Sequence, residues 1–238
     1  MSAPRFFVAA PVSIGATIAL EPDDMHHASH VLRLRADAPI VVVAGGVAWD
    51  AVIATADCAT AHILRPSPEG GGDIGLDVTI LQALIKGTKF DDVVEKCVEL
   101  GARRIVPVRC ERSESEASEH KVERWRRIAR SAAQQSRRNI LPTVEEPLAF
   151  ADALVAVKAT LIVASERAPK GSLAETLRAH QDTASFVIAI GPEGSFTDVE
   201  LELAKKAGAS FVSLGPAILR TETAAAALLA AIASDRVW

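Results

Sequence analysis

The sequence has 238 residues, of which 49% are hydrophobic and 24% are charged, and its formal net charge is −4. This composition is typical of a folded globular protein and excludes an intrinsically disordered chain. The longest strictly apolar run, Ala224 to Ala233, is too short to span a bilayer, and three scattered cysteines exclude a disulfide framework, so we expect a soluble, cytoplasmic protein.

The first part of the chain is dominated by short β-type runs. These runs are Ile40–Val43, Val47–Ala54 and Ala61–Leu64. One short helix is predicted around Asp23–Leu32, where Pro22 and two aspartates favour a helix start. The stretch Arg65–Gly75, with two prolines and four glycines, predicts a linker. Residues 1–72 are therefore predicted to form a small, β-rich, barrel-like domain.

Strand-like and helical segments alternate in residues 73–238. Strands are predicted at Val78–Leu84, Arg104–Val108, Thr160–Ala164, Phe186–Ile190 and Ser210–Leu214. One helix face is predicted from the 3.6-residue spacing of Phe90, Val93, Val94, Cys97 and Val98. Ser172 and Thr197 each precede a glutamate by three residues, which predicts capped helix starts, and a final helix is predicted from Thr221. This alternation predicts an α/β domain with a mainly parallel sheet covered by helices.

Basic residues are concentrated in one segment of an otherwise acidic chain. Seven of them, opposed only by Glu123, are Lys121, Arg124, Arg126, Arg127, Arg130, Arg137 and Arg138. We call these seven residues the basic stripe. A contact with a polyanion and a solvated helix face are both consistent with such a stripe.

Two further motifs are not interpreted as sites. Gly70, Gly72 and Gly75 match a dinucleotide-binding pattern, but they precede a strand instead of a helix. The three histidines within His26–His30 lack the carboxylate of a zinc-binding HExxH motif. We therefore predict neither a dinucleotide fingerprint nor a metal site.

Two loops that contain glycine and proline follow predicted strands and precede predicted helices. The first is Ile190–Phe196 (IGPEGSF), and the second is Leu214–Thr223 (LGPAILRTET). Both lie at carboxyl ends of strands, where open α/β sheets bind ligands. Ile218 and Leu219 are bulky apolar residues suited to line a pocket for a flat group such as adenine. For either loop alone, the alternative is a tight connection between a strand and a helix.

These loops resemble the paired C-terminal motifs of the RsmE-like family, which are bacterial 16S rRNA uridine N3-methyltransferases of the SPOUT superfamily. The resemblance covers nearly the whole chain. It also includes Arg5–Val8, His30–Arg33, Gln82, Lys86, Lys96–Gly101, Glu111–Ser113, Arg124, Trp125 and Gln135–Pro142. The segment LGPAILRTETAA is the most specific of these matches.

The resemblance implies a fold, a cofactor and partners. The fold would be α/β, with an N-terminal PUA-like β-barrel at 1–72 and a C-terminal SPOUT α/β domain with a deep trefoil knot at 73–238. The methyl donor would be S-adenosyl-L-methionine, with no metal, and the partners would be 16S rRNA in the small ribosomal subunit and a second copy in a homodimer. The implied donor-binding residues are Ile190, Gly191, Pro192, Glu193, Gly194, Leu214, Gly215, Pro216, Ile218 and Leu219.

The resemblance also implies catalytic and RNA-binding residues. Arg220 would stabilise the uracil oxygen as N3 loses its proton, and Glu222 or Glu193 would accept that proton. The alternative role for Glu222 is a carboxylate that stabilises a helix N-terminus. RNA contacts are implied at Arg5, Arg33, Arg35, Lys86, Arg112, Lys121, Arg124 and Arg138. The alternative functions are a SPOUT RNA methyltransferase with a different rRNA or tRNA target and a non-catalytic RNA-binding module.

Three positions depart from the family pattern. Ser195 stands where a second glycine is usual, and we expect serine to be tolerated there unless the backbone requires a positive φ. Asp37 lies between two alanines where a Gly-Asp turn is usual, and Gln134 takes a position that is commonly glutamate. These substitutions affect the predicted geometry of the loop at 195 and of the turn at 37.

Overall fold

The computed structural model describes residues 3–9 and 11–237. The chain divides into two compact units. The first unit extends to Asp73 and also contains Ala133–Leu141, whereas the second contains Ile74–Ala132 and the chain from Pro142 onwards. A single break after residue 72 was predicted, so the return of residues 133–141 to the first unit is a difference from the sequence analysis.

The first unit is built on a five-stranded sheet. Its strands are β1 (Arg5–Phe7), β2 (Thr17–Ala19), β3 (Pro39–Ala44), β4 (Val47–Ile53) and β5 (Thr60–Pro66), in the order β1-β3-β4-β5-β2. β1 is parallel to β3, and the other pairings are antiparallel. Gly45 and Gly46 both have positive φ, as a two-residue hairpin turn between β3 and β4 requires. The predicted helix is present as α1 (Pro22–His26) and continues as a π-helical turn, His27–Val31.

A buried polar network holds residues 133–141 in the first unit. Arg138 is only 1% exposed, and its Nε donates to Asp73 Oδ1 at 3.0 Å. The other carboxylate oxygen of Asp73 accepts from the backbone N–H of Asn139 at 2.7 Å. A Cβ on Gly72 would lie 2.4 Å from the Ser136 carbonyl oxygen, so only glycine fits here. The end of the predicted linker is therefore fixed against this segment.

The second unit contains a sheet whose pairings are all parallel. Its strands are β6 (Asp77–Ala83), β7 (Arg104–Arg109), β8 (Thr143–Val144), β9 (Leu148–Ala149), β10 (Thr160–Ala164), β11 (Ser185–Ile190) and β12 (Ser210–Val212). They lie in the order β12-β10-β11-β6-β7-β8, and β9 also pairs with β7. The predicted parallel sheet is confirmed, and all its carboxyl ends lie on one edge.

Helices connect these parallel strands. They are α2 (Lys89–Glu99), α3 (Glu119–Gln135), α4 (Phe150–Val155), α5 (Ser172–Ala179), α6 (Asp198–Lys206) and α7 (Thr221–Arg236). The five residues of the predicted apolar face are the buried residues of α2, so this prediction is confirmed. Among the described residues, none of the helices combines the length and the apolar character that a membrane crossing requires.

Of the two predicted helix caps, one is present and the other is absent. Thr197 and Glu200 form a reciprocal capping box at the start of α6, as predicted. Ser172 is not a cap, because Gly171 precedes the helix and the Ser172 hydroxyl accepts from the backbone N–H of Ser213 at 2.9 Å. The Ser213 N–H therefore bonds to a side chain outside the sheet, and β12 ends one residue earlier, at Val212.

Candidate functional site

A cleft of about 610 Å³ opens at the carboxyl ends of three neighbouring strands of the second unit. The strands are β10, β11 and β12, and β10 is the middle one. Residues from the loop after each strand line the cleft. Ligand sites of open α/β sheets lie at this edge, because loops after parallel strands converge there.

Almost all of the predicted donor-binding and catalytic residues line this cleft. They are Ile190, Gly191, Pro192, Glu193, Leu214, Gly215, Pro216, Ile218, Leu219, Arg220 and Glu222. Gly194 is not part of the lining. Its carbonyl oxygen instead accepts from Arg112 Nη1 at 2.8 Å, so Arg112 supports the loop after β11.

A buried hydrogen-bond chain ties the two predicted loops together. The Thr221 hydroxyl donates to the Gly191 carbonyl oxygen at 2.6 Å and accepts from Gln82 Nε2 at 2.9 Å. Thr221 is the first residue of α7, Gly191 follows β11, and Gln82 lies on β6. All three residues are buried, so these contacts fix the loop after β11 against the start of α7.

The backbone of the loops is tight where they line the cleft. A Cβ on Gly191 would lie 3.1 Å from the Phe196 ring, and Gly215 has a φ of +131°. Ser195 has a φ of +61°, so this position does require the conformation that glycine adopts freely. Its backbone N–H donates to the Pro192 carbonyl at 2.9 Å, and its hydroxyl donates to Glu166 Oε1 at 2.9 Å.

A charged cluster around Lys89 lines part of the cleft. Lys89 Nζ lies 3.8 Å from Glu193 Oε1 and 4.0 Å from Glu222 Oε1. Glu222 Oε2 is buried, and no hydrogen-bond partner for it is present among the described residues. Arg220 immediately precedes α7 and is exposed. The lining of the cleft therefore offers a carboxylate oxygen and two cations to a ligand.

The loop after β12 gives the cleft an apolar wall. Ile218 is 84% exposed although it is a large apolar side chain. Leu214 and Leu219 are half-buried and line the same cleft. A ligand in the cleft would cover this apolar side chain, so Ile218 stays a candidate for the predicted adenine contact.

Lys86, Lys121 and Arg124, predicted to bind RNA, already have protein partners in the second unit. Lys86 contacts Glu114, whose hydrogen bond raises the pKa of Lys86. Lys121 Nζ donates to the Glu116 carbonyl at 2.8 Å. Arg124 Nη2 lies 2.6 Å from Asp91 Oδ2. Lys86 and Arg124 are exposed, so they are accessible to a further partner in spite of these contacts.

The four predicted RNA-binding arginines of the first unit fall into two classes. Arg33 and Arg35 are exposed. Arg5 and Arg138 are buried, and burial lowers the pKa of Arg5. Arg5 donates to the Arg137 carbonyl and, at 2.8 Å, to Asn139 Oδ1. The predicted RNA contact is therefore corrected for Arg5 and Arg138, because their guanidinium groups are used inside the unit.

The histidine and cysteine side chains give no sign of a metal or nucleophile site. The rings of His26 and His30 stack with centroids 4.5 Å apart. In the part of the chain that the structure describes, no three or more His, Cys, Asp or Glu residues are grouped to hold a metal ion. Burial raises the pKa of Cys97 to about 12, so this thiol is protonated at neutral pH.

Glu166 and Lys89 are among the cleft residues that were not predicted from the sequence. Glu166 lies on the loop after β10, and Lys89 is the first residue of α2. A signal for Glu166 was present, because it follows a predicted strand in the same way as the two glycine loops do. Lys89 carried no such signal, since one lysine at a helix start is a common surface feature.

Known proteins resemble this chain in sequence and in structure. A family model described as an RNA methyltransferase domain matches residues 73–233. The ribosomal RNA small subunit methyltransferase E of Synechocystis sp. is 38% identical over 232 residues, which cover 96% of this chain and 76% of that protein. The protein of the same name from Mycobacterium bovis is 31% identical, over 98% of this chain and 92% of its own length.

A solved structure extends this similarity to the fold. The crystal structure of ribosomal RNA small subunit methyltransferase E from Neisseria gonorrhoeae, bound to S-adenosyl methionine, superimposes with a TM-score of 0.88. The two chains share 33% identity, and the alignment covers 98% of each. The similarity therefore includes both units of the chain.

Proposed function

Because the chain belongs to the ribosomal RNA small subunit methyltransferase E family, we propose that it transfers a methyl group from S-adenosylmethionine to N3 of a uridine in 16S rRNA. The observation that carries the proposal is the cleft at the ends of β10, β11 and β12. It combines an exposed apolar wall at Ile218 with a charged cluster at Lys89, Glu193 and Glu222. Such a site suits a ligand that has a flat base at one end and charged groups at the other.

The residues present fit the donor. The loop of Gly191 and the loop of Gly215 have the close approach and positive φ that let backbone lie against a ligand. Ile218 and Leu219 supply an apolar surface for adenine. Bound S-adenosylmethionine supplies an electrophilic methyl group on a positively charged sulfur.

The chain's own residues position the acceptor and move one proton. Uracil N3 attacks well only after it loses its proton, and Glu222 is the residue that accepts it, through the buried Oε2 that has no partner among the described residues. Arg220, which also lines the cleft, stabilises the negative charge that develops on the uracil oxygen. Lys89 lies near both Glu193 and Glu222 and holds the two carboxylates in place.

The family resemblance supports three finer proposals. The first unit is a PUA-like barrel that binds RNA, with the exposed Arg33 and Arg35 as contacts. The loops of the second unit form a trefoil knot around the donor. The protein is a homodimer, which light scattering coupled to size-exclusion chromatography would test by giving twice the chain mass of 25.1 kDa.

The function is tested on small ribosomal subunits from a strain that lacks this gene. The subunits are incubated with the protein and S-adenosylmethionine, and the rRNA is digested to nucleosides for mass spectrometry. We expect 3-methyluridine to appear. A different methylated nucleoside would show another target, and donor binding without methylation of subunits or free rRNA would indicate another RNA. Absence of donor binding would favour a non-catalytic RNA-binding module.

Arg220→Ala is the matching variant for this assay. We expect turnover at saturating rRNA and donor to fall by about 10²- to 10³-fold, as for loss of one group that stabilises transition-state charge. Arg178→Ala removes an exposed arginine on α5, outside the cleft, and should keep wild-type turnover. Wild-type turnover in Arg220→Ala would remove Arg220 from the mechanism.

A further inference from the structure

Glu166 lies in the cleft but has no role in the mechanism above. It follows β10, which pairs with β12 on one side and with β11 on the other. The loop after β12 carries Ile218, on the adenine side, and the loop after β11 carries Glu193, on the charged side. In the donor, the ribose joins the adenine to the sulfur. The middle loop is therefore the one placed to meet the ribose.

The Glu166 carboxylate already binds a hydroxyl group. Ser195 Oγ donates to its Oε1 at 2.9 Å. An ionised carboxylate has sites for about four hydrogen bonds. Within residues 3–9 and 11–237, no other hydrogen bond or ion pair involves Glu166. Most of its acceptor capacity is therefore available to a ligand in the cleft.

Glu166 differs from the other carboxylates of the cleft in its charged neighbours. Glu193 and Glu222 each lie within 4.0 Å of Lys89 Nζ. The cation next to Glu166 in the chain, Arg167, is instead paired with Asp198 at 2.5 Å. Among the described residues, no cation forms an ion pair with Glu166, so its carboxylate is open to neutral donors such as the two adjacent hydroxyls of a ribose.

The Ser195 hydroxyl donates to Glu166 although the backbone conformation of Ser195 is unfavourable. Its φ of +61° lies in the left-handed region that residues with a side chain rarely adopt. Glycine would relieve this conformation but would leave Glu166 without its partner. Strained residues of this kind are concentrated at ligand sites, where the surrounding structure holds them.

We propose that Glu166 binds the ribose hydroxyls of the methyl donor and that Ser195 is the positioning residue that aims its carboxylate. This inference rests on the proposed function, because it takes S-adenosylmethionine as the ligand. It assigns a role to the one loop of the cleft that the sequence analysis did not single out.

The test compares two ligands by isothermal titration calorimetry on the full chain. The ligands are 5′-methylthioadenosine and its 2′,3′-dideoxy analogue, which lacks both ribose hydroxyls. We expect the wild-type protein to prefer the hydroxylated ligand by about tenfold to a hundredfold, the range for hydrogen bonds to a charged group. In Glu166→Ala the preference should fall below about threefold, because the charged acceptor is lost.

Three further variants test whether the effect is specific to Glu166 and Ser195. Glu202→Ala removes an exposed carboxylate on α6 outside the cleft and should keep the wild-type preference. Ser195→Gly removes the hydroxyl and accepts a positive φ, so it should lower the preference by about two- to fivefold without a lower melting temperature. Ser195→Ala removes the same hydroxyl and keeps the strain, and it should lower the preference equally.

Four outcomes would count against the inference, and they can be told apart. Full preference in Glu166→Ala would remove Glu166 from the ribose site, and full preference in Ser195→Gly would remove the positioning role of Ser195. If Glu166→Ala weakened S-adenosylhomocysteine but not 5′-methylthioadenosine, Glu166 would face the amino-acid end of the donor. If the wild-type protein bound neither 5′-methylthioadenosine nor S-adenosylhomocysteine, the proposed function itself would fail.

Discussion

At the scale of single residues, Thr221 joins two loops that are thirty residues apart in the chain. Thr221→Val keeps the shape of the side chain but leaves the Gly191 carbonyl and the Gln82 amide without their partner. We expect the free energy of unfolding to fall by about 1–3 kcal/mol, as for unpaired buried polar groups, and donor binding to weaken. Urea unfolding and calorimetry measure the two effects.

The control for this change lies two residues further along the same helix. Thr223 is exposed, so Thr223→Val should leave both stability and donor binding close to wild type. Equal effects of the two valines would mean that helix propensity, and not the hydrogen-bond chain, accounts for the loss.

Whether the role of a single residue could be predicted from the sequence depended on its residue type. Glycine and proline after a strand have few possible roles, so the sequence was sufficient to predict that Gly191 and Gly215 lie in loops that line a pocket. A single charged residue has many roles, and its burial is set by distant parts of the chain. Arg138 was therefore predicted to contact RNA, although it pairs with Asp73 in the interior. Glu166 was missed because a single glutamate has many possible roles, although its place after a predicted strand was a signal.

At the scale of elements, α6 begins with a capping box whose contacts are local. The Thr197 hydroxyl accepts from the Glu200 N–H, and the Glu200 carboxylate accepts from the Thr197 N–H at 2.8 Å. Thr197→Ala should lower the free energy of unfolding by about 1 kcal/mol, the usual effect of losing a cap. Thr197→Ser keeps a capping hydroxyl and should retain most of the stability in thermal unfolding. A serine variant as unstable as the alanine variant would contradict the cap.

Local and distant contacts explain why one predicted cap is present and the other is absent. The capping box at Thr197 involves residues three apart, so the sequence was sufficient. At Ser172 the hydroxyl accepts from Ser213, which is 41 residues away. That contact depends on the packing of α5 beside β12, which no short motif reports. The alternation of strands and helices was predictable because the hydrophobic pattern inside each element repeats within a few residues.

At the scale of the whole molecule, the basic stripe is partly neutralised by acidic neighbours. Arg126 pairs with Glu123 and Glu146, and Arg124 pairs with Asp91. Arg127 is exposed, and no hydrogen bond or ion pair of its side chain is present among the described residues. It is therefore the member of the stripe best suited to a phosphate contact.

Arg127→Gln tests whether the stripe binds RNA. We expect weaker binding of small-subunit rRNA, with a salt dependence whose logarithmic slope decreases by about 1, as for loss of one phosphate contact. Lys206→Gln makes the same change of charge on α6 and should leave the slope unchanged. Filter binding over a series of salt concentrations measures both, and equal slopes in Arg127→Gln and wild type would return the stripe to a solvated helix face.

The first unit is made of two stretches of chain, and this limits how the protein can be divided into fragments or recombined. A fragment that starts at residue 74 still carries Ala133–Leu141 in its middle, with the buried Arg138 deprived of Asp73. Neither unit can therefore be excised by one cut at the glycine-rich segment. A single recombination event in the gene could not exchange the first unit for another without leaving part of it behind. An exchange of the first unit therefore needs crossover points on both sides of Ala133–Leu141 as well as one near Asp73.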